Sequence, residues 1–235
     1  MLNYIYGKNS VKQALGIKNI NRVLVTNNTL NEFKFLFKKN HLKFEVVEKD
    51  QLTKTVGSDK HQGIALEISE YQTYDIDEII NTKEKNGLIV MLDGLEDPHN
   101  LGAILRTADA VGVEGVIYGK NRNVSLNATV AKVSTGAINT VKVVEVTNLN
   151  QTIRYLKDQG YWIIGVELGG QDYKTIDYNM PICLIIGSEG KGISRLVKEN
   201  CDYLVSLPMR GLVNSLNASV ATGVMLYEIT GIQKK

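Results

Sequence analysis

Six short runs rich in Ile, Val and Leu recur between Gly87 and Leu207, at 88–92, 115–118, 141–146, 161–166, 182–186 and 203–207. Runs of this length and β-branched content read as strands buried on both faces. Apolar residues at helical spacing separate several of them, at 101–111, 129–135, 149–159 and 193–198. Strand and helix in this alternation restrict the fold to one class. They predict an α/β domain over residues 87–235, a parallel sheet with helices on both faces.

Residues 1–70 carry a shorter version of the same mixture. A helical pattern at 30–39 places Phe33, Leu36 and Phe37 on one face and Lys34, Lys38 and Lys39 outward. Short helices are expected at 10–15 and 51–55, and strands at 22–25, 44–47 and 63–68. The result is a small α/β/α domain. Residues 71–86, polar and weakly periodic, are expected to link it to the second. The first 70 residues hold 11 lysines and arginines against 7 acids, whereas the remainder holds 16 against 18. A basic module joined to a faintly acidic one suits RNA docking beside catalysis.

Several function classes fall away. No apolar run approaches the roughly 18–20 residues that span a bilayer. The start lacks a basic segment followed by an apolar one, so no signal peptide is expected and a cytoplasmic location is. Two cysteines cannot build a disulfide framework. Cys183, inside an apolar run, reads as a buried thiol, and Cys201 has no companion at metal-ligand spacing. With His41, His61 and His99 scattered, no metal site is expected.

The glycine-rich stretch Gly187-Ser188-Glu189-Gly190-Lys191-Gly192 follows a buried strand and precedes a helix. Ile193 stands where a P-loop requires lysine, and the glycine order is wrong for a dinucleotide fingerprint. It remains either a tight turn or a ligand loop at the carboxyl end of a parallel sheet, the usual binding edge of such folds. Two further polar segments stand out: Asn100-Leu101-Gly102-Ala103-Ile104-Leu105-Arg106, and Leu207-Pro208-Met209-Arg210-Gly211-Leu212-Val213-Asn214-Ser215-Leu216-Asn217. Taken singly, Asn100 reads as a helix cap, Arg106 as a solvated or paired side chain, Glu189 as a first-turn acid, and Ser215 and Asn217 as caps of a last helix over 215–229.

In this order, the three segments resemble the signature motifs of the SpoU (TrmH) family of RNA ribose 2'-O-methyltransferases. Arg210 and Asn214 vary the last motif without touching its Ser215-Leu216-Asn217 core. The resemblance implies a SPOUT-type domain whose C-terminal part is tucked into a deep trefoil knot. It implies S-adenosyl-L-methionine as cofactor, contacted by Gly187, Leu207 and Leu216 with Ile186 and Met209 adjoining. Asn100, Arg106, Glu189, Ser215 and Asn217 then match the family's active-site positions. Arg106 is the residue usually assigned to activate the 2'-hydroxyl. The Gly7-Lys8-Asn9-Ser10 start and the His61-Gln62-Gly63-Ile64-Ala65 element resemble the family's substrate-binding domain, similar to ribosomal protein L30e. A homodimer through the last helix is implied as well.

Methylating a ribose hydroxyl is a displacement at a methyl already activated by a sulfonium, so no metal is required. It needs a polarised 2'-oxygen, alignment and exclusion of water. Within the family the chain looks most like members that act on a guanosine of 23S ribosomal RNA; members acting on transfer-RNA guanosine, or on ribosomal adenosine, come next. A catalytically inactive RNA-binding assembly factor would show erosion of the five polar positions, and all five stand.

Overall fold

The computed structural model describes residues 3–15, 20–69, 71–80 and 86–233, which form two compact units, Met1–Gln72 and Thr73–Lys235.

The first unit contains β1 (Asn3–Tyr6), α1 (Lys8–Ala14), β2 (Ile20–Val25), α2 (Asn27–Lys39), β3 (Glu45–Val46), α3 (Lys49–Val56) and β4 (Ile64–Ile68). Its sheet runs β1-β4-β2-β3, with β4 antiparallel to both neighbours and β3 parallel to β2. The period of two sorts the strand residues between two cores. Val23, Val25, Ile64 and Leu66 pack with Val11 of α1 and with Phe33 and Phe37 of α2. Leu24 and Ala65 pack with Leu52 of α3 on the opposite face. Three layers follow. Phe33 and Phe37, one turn apart and fully buried, each contribute about 3 kcal/mol of burial. The α2 helix ends where the Asn40 carboxamide donates to the Leu36 carbonyl at 2.9 Å, beside Lys38 and Lys39, which suit the negative helix end. Strand β1 had no sequence signal. Its four residues take their register from β4, more than 55 positions away.

The second unit holds β5 (Leu88–Asp93), α4 (Pro98–Val111), β6 (Gly115–Gly119), α5 (Ala128–Val133), β7 (Val143–Val146), α6 (Leu149–Asp158), β8 (Trp162–Asp172), β9 (Ile182–Gly187), α7 (Arg195–Glu199), β10 (Tyr203–Ser206) and α8 (Ala218–Gln233). All six strands are parallel, in the order β10-β8-β9-β5-β6-β7. Ile89, Met91, Ile117, Ile163, Cys183 and Ile185 form a core with Ile153 and Leu156 of α6 and Val197 of α7. Residues of the other parity therefore face α4 and α8, which contact β6 and β9 and pack on each other. From β5 the chain winds outward through β6 and β7, and β9 returns on β5's other side. The order reverses between β5 and β9, which opens a crevice at their carboxyl ends.

Three elements differ from the sequence expectation. Of the expected linker, residues 81–85 lie outside the described residues, and 73–80 fold with the second unit. Ile79 is buried in its core, and the Tyr74 amide donates to the Val143 carbonyl at 2.9 Å. Strand β8 continues six residues past 166. There Val205 and Ser206 of β10 pair with Gln171 and Asp172 after a bulge, so backbone pairing and not apolar content extends it. The last helix begins at Ala218 and not at 215, because the Asn217 carboxamide oxygen accepts from the Ser219 amide at 2.9 Å and caps it there.

Candidate active site

Strand β9 ends at Gly187, in register with Asp93 at the end of β5. The following loop closes on itself, with the Ser188 amide donating to the Gly192 carbonyl at 3.1 Å and the reverse bond at 2.9 Å. Backbone meets backbone there so closely that a Cβ on Gly187 would lie 2.1 Å from the Gly192 carbonyl carbon. Gly192 itself has φ +66°, a conformation glycine adopts without strain. Two carboxylates hold the loop from neighbouring strands. Glu167 of β8 accepts from the Ile193 amide at 3.0 Å and pairs with Lys198 at 3.3 Å, and Asp93 of β5 accepts from the Ser194 amide at 2.7 Å.

Beside this loop lies a cavity of about 430 Å³, within the range of small-molecule sites. Ile186, Gly187, Leu207, Met209 and Leu216 all line it, together with Glu189, Ser215 and Glu167. Leu216, 37% exposed, offers an apolar side chain to a ligand. A second hollow, bounded by Asp97 and Asn100, shares the wall Ser188–Lys191.

Asn100, Glu189 and Asn217 meet across three elements. Asn100 is buried at the start of α4, a helix that opens with Pro98 and is capped by Asp97, whose carboxylate accepts from the His99 amide at 2.8 Å. The Asn100 carboxamide donates to Glu189 Oε1 at 2.8 Å. The Asn217 carboxamide donates to the same oxygen at 2.6 Å and to Asn100 Oδ1 at 2.9 Å. Its own oxygen caps α8. One side chain thus ties all three motif segments together. The arrangement leaves Glu189 Oε2 without a bond to this cluster, at the shared wall of the two hollows.

Arg106 stands apart. Six residues beyond Asn100 on α4, it points to a different face, is exposed, and has no hydrogen-bonding or ionic partner among the described residues. Ser215 lines the cavity and does not cap α8. Sequence reading missed Asp93 and Glu167. Their signal was position: each is a carboxylate placed directly after a buried apolar run, at the sheet's binding edge. Among the described residues no group of three or more His, Cys, Asp or Glu is placed to hold a metal. Burial pushes the Cys201 thiol up to about 12 and raises Cys183 further, so neither serves as a thiolate nucleophile.

The donor set fits S-adenosylmethionine. Among the lining residues, Leu207, Met209 and Leu216 offer apolar surface suited to an adenine ring, and Glu167 and Glu189 bring two carboxylates suited to a cationic sulfonium. No helix among the described residues is long and apolar enough to cross a membrane.

Comparison with known proteins agrees with this geometry. Residues 87–227 match the SpoU rRNA Methylase family, and residues 4–74 match the RNA 2'-O ribose methyltransferase substrate binding family. The chain is 47% identical to a putative TrmH family tRNA/rRNA methyltransferase of Staphylococcus saprophyticus, over 96% of this chain and 94% of that one. Its fold resembles the SpoU methyltransferase AviRb of Streptomyces viridochromogenes in complex with the cofactor AdoMet (TM-score 0.72, 23% identity, covering 100% of this chain and 91% of that one). It also resembles the A. aeolicus TrmH/SpoU tRNA modifying enzyme (TM-score 0.59, 32% identity, 67% and 80% covered). A glycine loop and a polar junction at the switch point of a parallel sheet, with these matches, make the chain a member of the SpoU (TrmH) family of RNA methyltransferases, with S-adenosylmethionine as cofactor.

Proposed function

We propose that this chain methylates the ribose 2'-hydroxyl of a guanosine in 23S ribosomal RNA. The observation that carries the reading is the Asn100–Glu189–Asn217 junction, set against a cavity lined by the positions that resemble the family's cofactor contacts. When bound, S-adenosylmethionine would supply a methyl on a positively charged sulfur; the 2'-oxygen would displace it, S-adenosylhomocysteine would leave as a neutral thioether, and the hydroxyl proton would pass to solvent. A guanidinium is a donor with no acceptor site, so in this reading Arg106 does not take the hydroxyl proton. Its role is to bind an RNA phosphate and to stabilise the developing alkoxide. The free carboxylate oxygen of Glu189 and the Ser215 hydroxyl orient the ribose. Asn100 and Asn217 hold Glu189 in place.

Residues 1–70 serve in this reading as the L30e-like RNA-docking domain and 87–235 as the catalytic domain, with 73–80 folded into the second unit. The match of residues 4–74 to a substrate-binding family supports ribosomal RNA, because transfer-RNA members of the family often lack that domain. The reading includes a deep trefoil knot of the C-terminal part, supported by the way Leu207, Met209 and Asn214 to Leu216 return to wall the cavity with 187–192. It also includes a homodimer through α8, in which Arg106, without an ionic partner among the described residues, completes the partner's site. A transfer-RNA guanosine substrate is the second reading, favoured by the name of the A. aeolicus structure.

Transfer of labelled methyl from S-adenosylmethionine to unmodified 23S RNA, and separately to unmodified transfer RNA, tests this. Nuclease digestion then identifies the product. 2'-O-Methylguanosine in 23S RNA alone is the expected result. Label in transfer RNA alone establishes the second reading, and no label in either RNA overturns both.

A further inference from the structure

Helix α2 and the loop after it carry a surface that the cavity chemistry does not use. Phe33 and Phe37 turn into the core, but Phe35, two residues from each, points the opposite way and is 75% exposed. Positions three and four residues further on share its helix surface, and they are Lys38 and Lys39, both exposed, with Lys34 exposed beside them. In the loop, Phe44 rests against Phe37 with ring centroids 5.4 Å apart and keeps 40% of its surface open. Residues 33–44 contain four lysines and no acid. The flanking acids are engaged elsewhere. Glu32 pairs with Lys8 and Lys12, each at 2.7 Å, and Glu45 pairs with Arg22 at 2.6 Å. Hydrogen bonds from Lys12 and Lys8 hold the Glu32 carboxyl below its usual range. Among the described residues no acid pairs with Lys34, Lys38, Lys39 or Lys43.

We propose that Phe35, Lys38 and Lys39 form the RNA-docking surface of the first unit, with an unpaired base stacked on the Phe35 ring and the lysines on adjacent phosphates. The proposal rests on the reading of this chain as an RNA methyltransferase and names where its substrate is held. An exposed ring among unpaired cations matches single-stranded RNA, which offers a base face and phosphates together. A second copy of the chain would bring like charges together. Membrane insertion needs a broad apolar face, and the apolar face of α2 is already buried.

The test uses the full chain and filter binding to a 23S RNA transcript across a salt series. Phe35→Ala weakens binding by about 5- to 150-fold without changing the salt slope, and Phe35→Trp restores it. Lys38→Ala with Lys39→Ala lowers the slope of log K against log salt by about 1.4. Circular dichroism and cofactor titration show that the variants remain folded. Wild-type affinity and slope in both variants overturn the proposal, as does a wild-type chain that binds no RNA. Binding to phosphatidylglycerol vesicles that Phe35→Ala abolishes, with RNA binding untouched, overturns it in favour of a membrane. If the wild type binds RNA through these residues yet methylates none, the docking surface stands and the catalytic reading fails. If methylation proceeds with KM unchanged in both variants, the reverse holds.

Discussion

At the scale of single residues, the proposed function gives Asn217 the holding of the site and Arg106 the action on substrate. Asn217→Asp keeps the oxygen that caps α8 but loses the bonds donated to Asn100 and Glu189, and sets one carboxylate against another. A loss of about 2 kcal/mol is expected from two hydrogen bonds. Trp162, the single tryptophan and a residue of β8, reports it as a lower urea midpoint of the second unit. Arg106 lies outside the cavity lining, so Arg106→Ala is expected to lower methyl transfer by about 100-fold or more. Calorimetry should find cofactor affinity nearly unchanged; a matching loss of affinity would contradict a role confined to the RNA.

At the scale of elements, two backbone junctions are rigid for identifiable reasons. At the β9–loop junction, Gly187→Ala places a methyl group against the carbonyl carbon of Gly192. Neither partner is a flexible side chain, so the loop must move away from the cavity. Cofactor affinity is expected to fall about tenfold or more, as an overpacking cost of about 1–3 kcal/mol implies. At the turn into β4, His61 is 1% exposed, its Nδ1 accepts from the Gly63 amide at 2.9 Å and its Nε2 faces Thr53 Oγ1 at 2.9 Å. A proton on Nδ1 would oppose the Gly63 N–H. Burial lowers the His61 pKa, so below about pH 6.5 the unfolded chain binds a proton that the folded chain refuses. Stability is therefore complete above pH 6.5 and declines as pH falls through the lowered folded pKa. Thermal melts at pH 7.5 and 5.5 should show this decline, and His61→Gln should reduce it.

At the scale of the whole molecule, the last helix carries two apolar faces. Ala218, Thr222, Met225, Leu226 and Ile229 are buried within the chain, while Val220, Val224 and Tyr227 are 50%, 40% and 62% exposed. The proposed homodimer would cover the outward face. Sedimentation at twice the chain's mass is the expected result for the wild type. Val224→Lys, at an exposed position, should give a folded monomer that binds cofactor and transfers no methyl.

Much of this molecule was legible in its residue order. Apolar runs of strand length separated by helical spacing set the parallel sheet, because burial on both faces leaves no polar alternation. Glycine and polar residues after those runs marked the binding edge. What lay beyond local pattern was whatever depends on partners far along the chain. Strand β1, the continuation of β8 and the start of α8 are each fixed by hydrogen bonds between distant segments. Asp93 and Glu167 gained a purpose only once β5 and β8 stood on either side of β9. Whether Asn100, Glu189 and Asn217 would meet was likewise settled by tertiary packing, since 89 and 28 positions separate them along the chain. Sequence alone determined most of the elements and named candidate residues for the chemistry; only the folded sheet decided which of those residues share a site, because a hydrogen bond depends on distance in space and not along the chain.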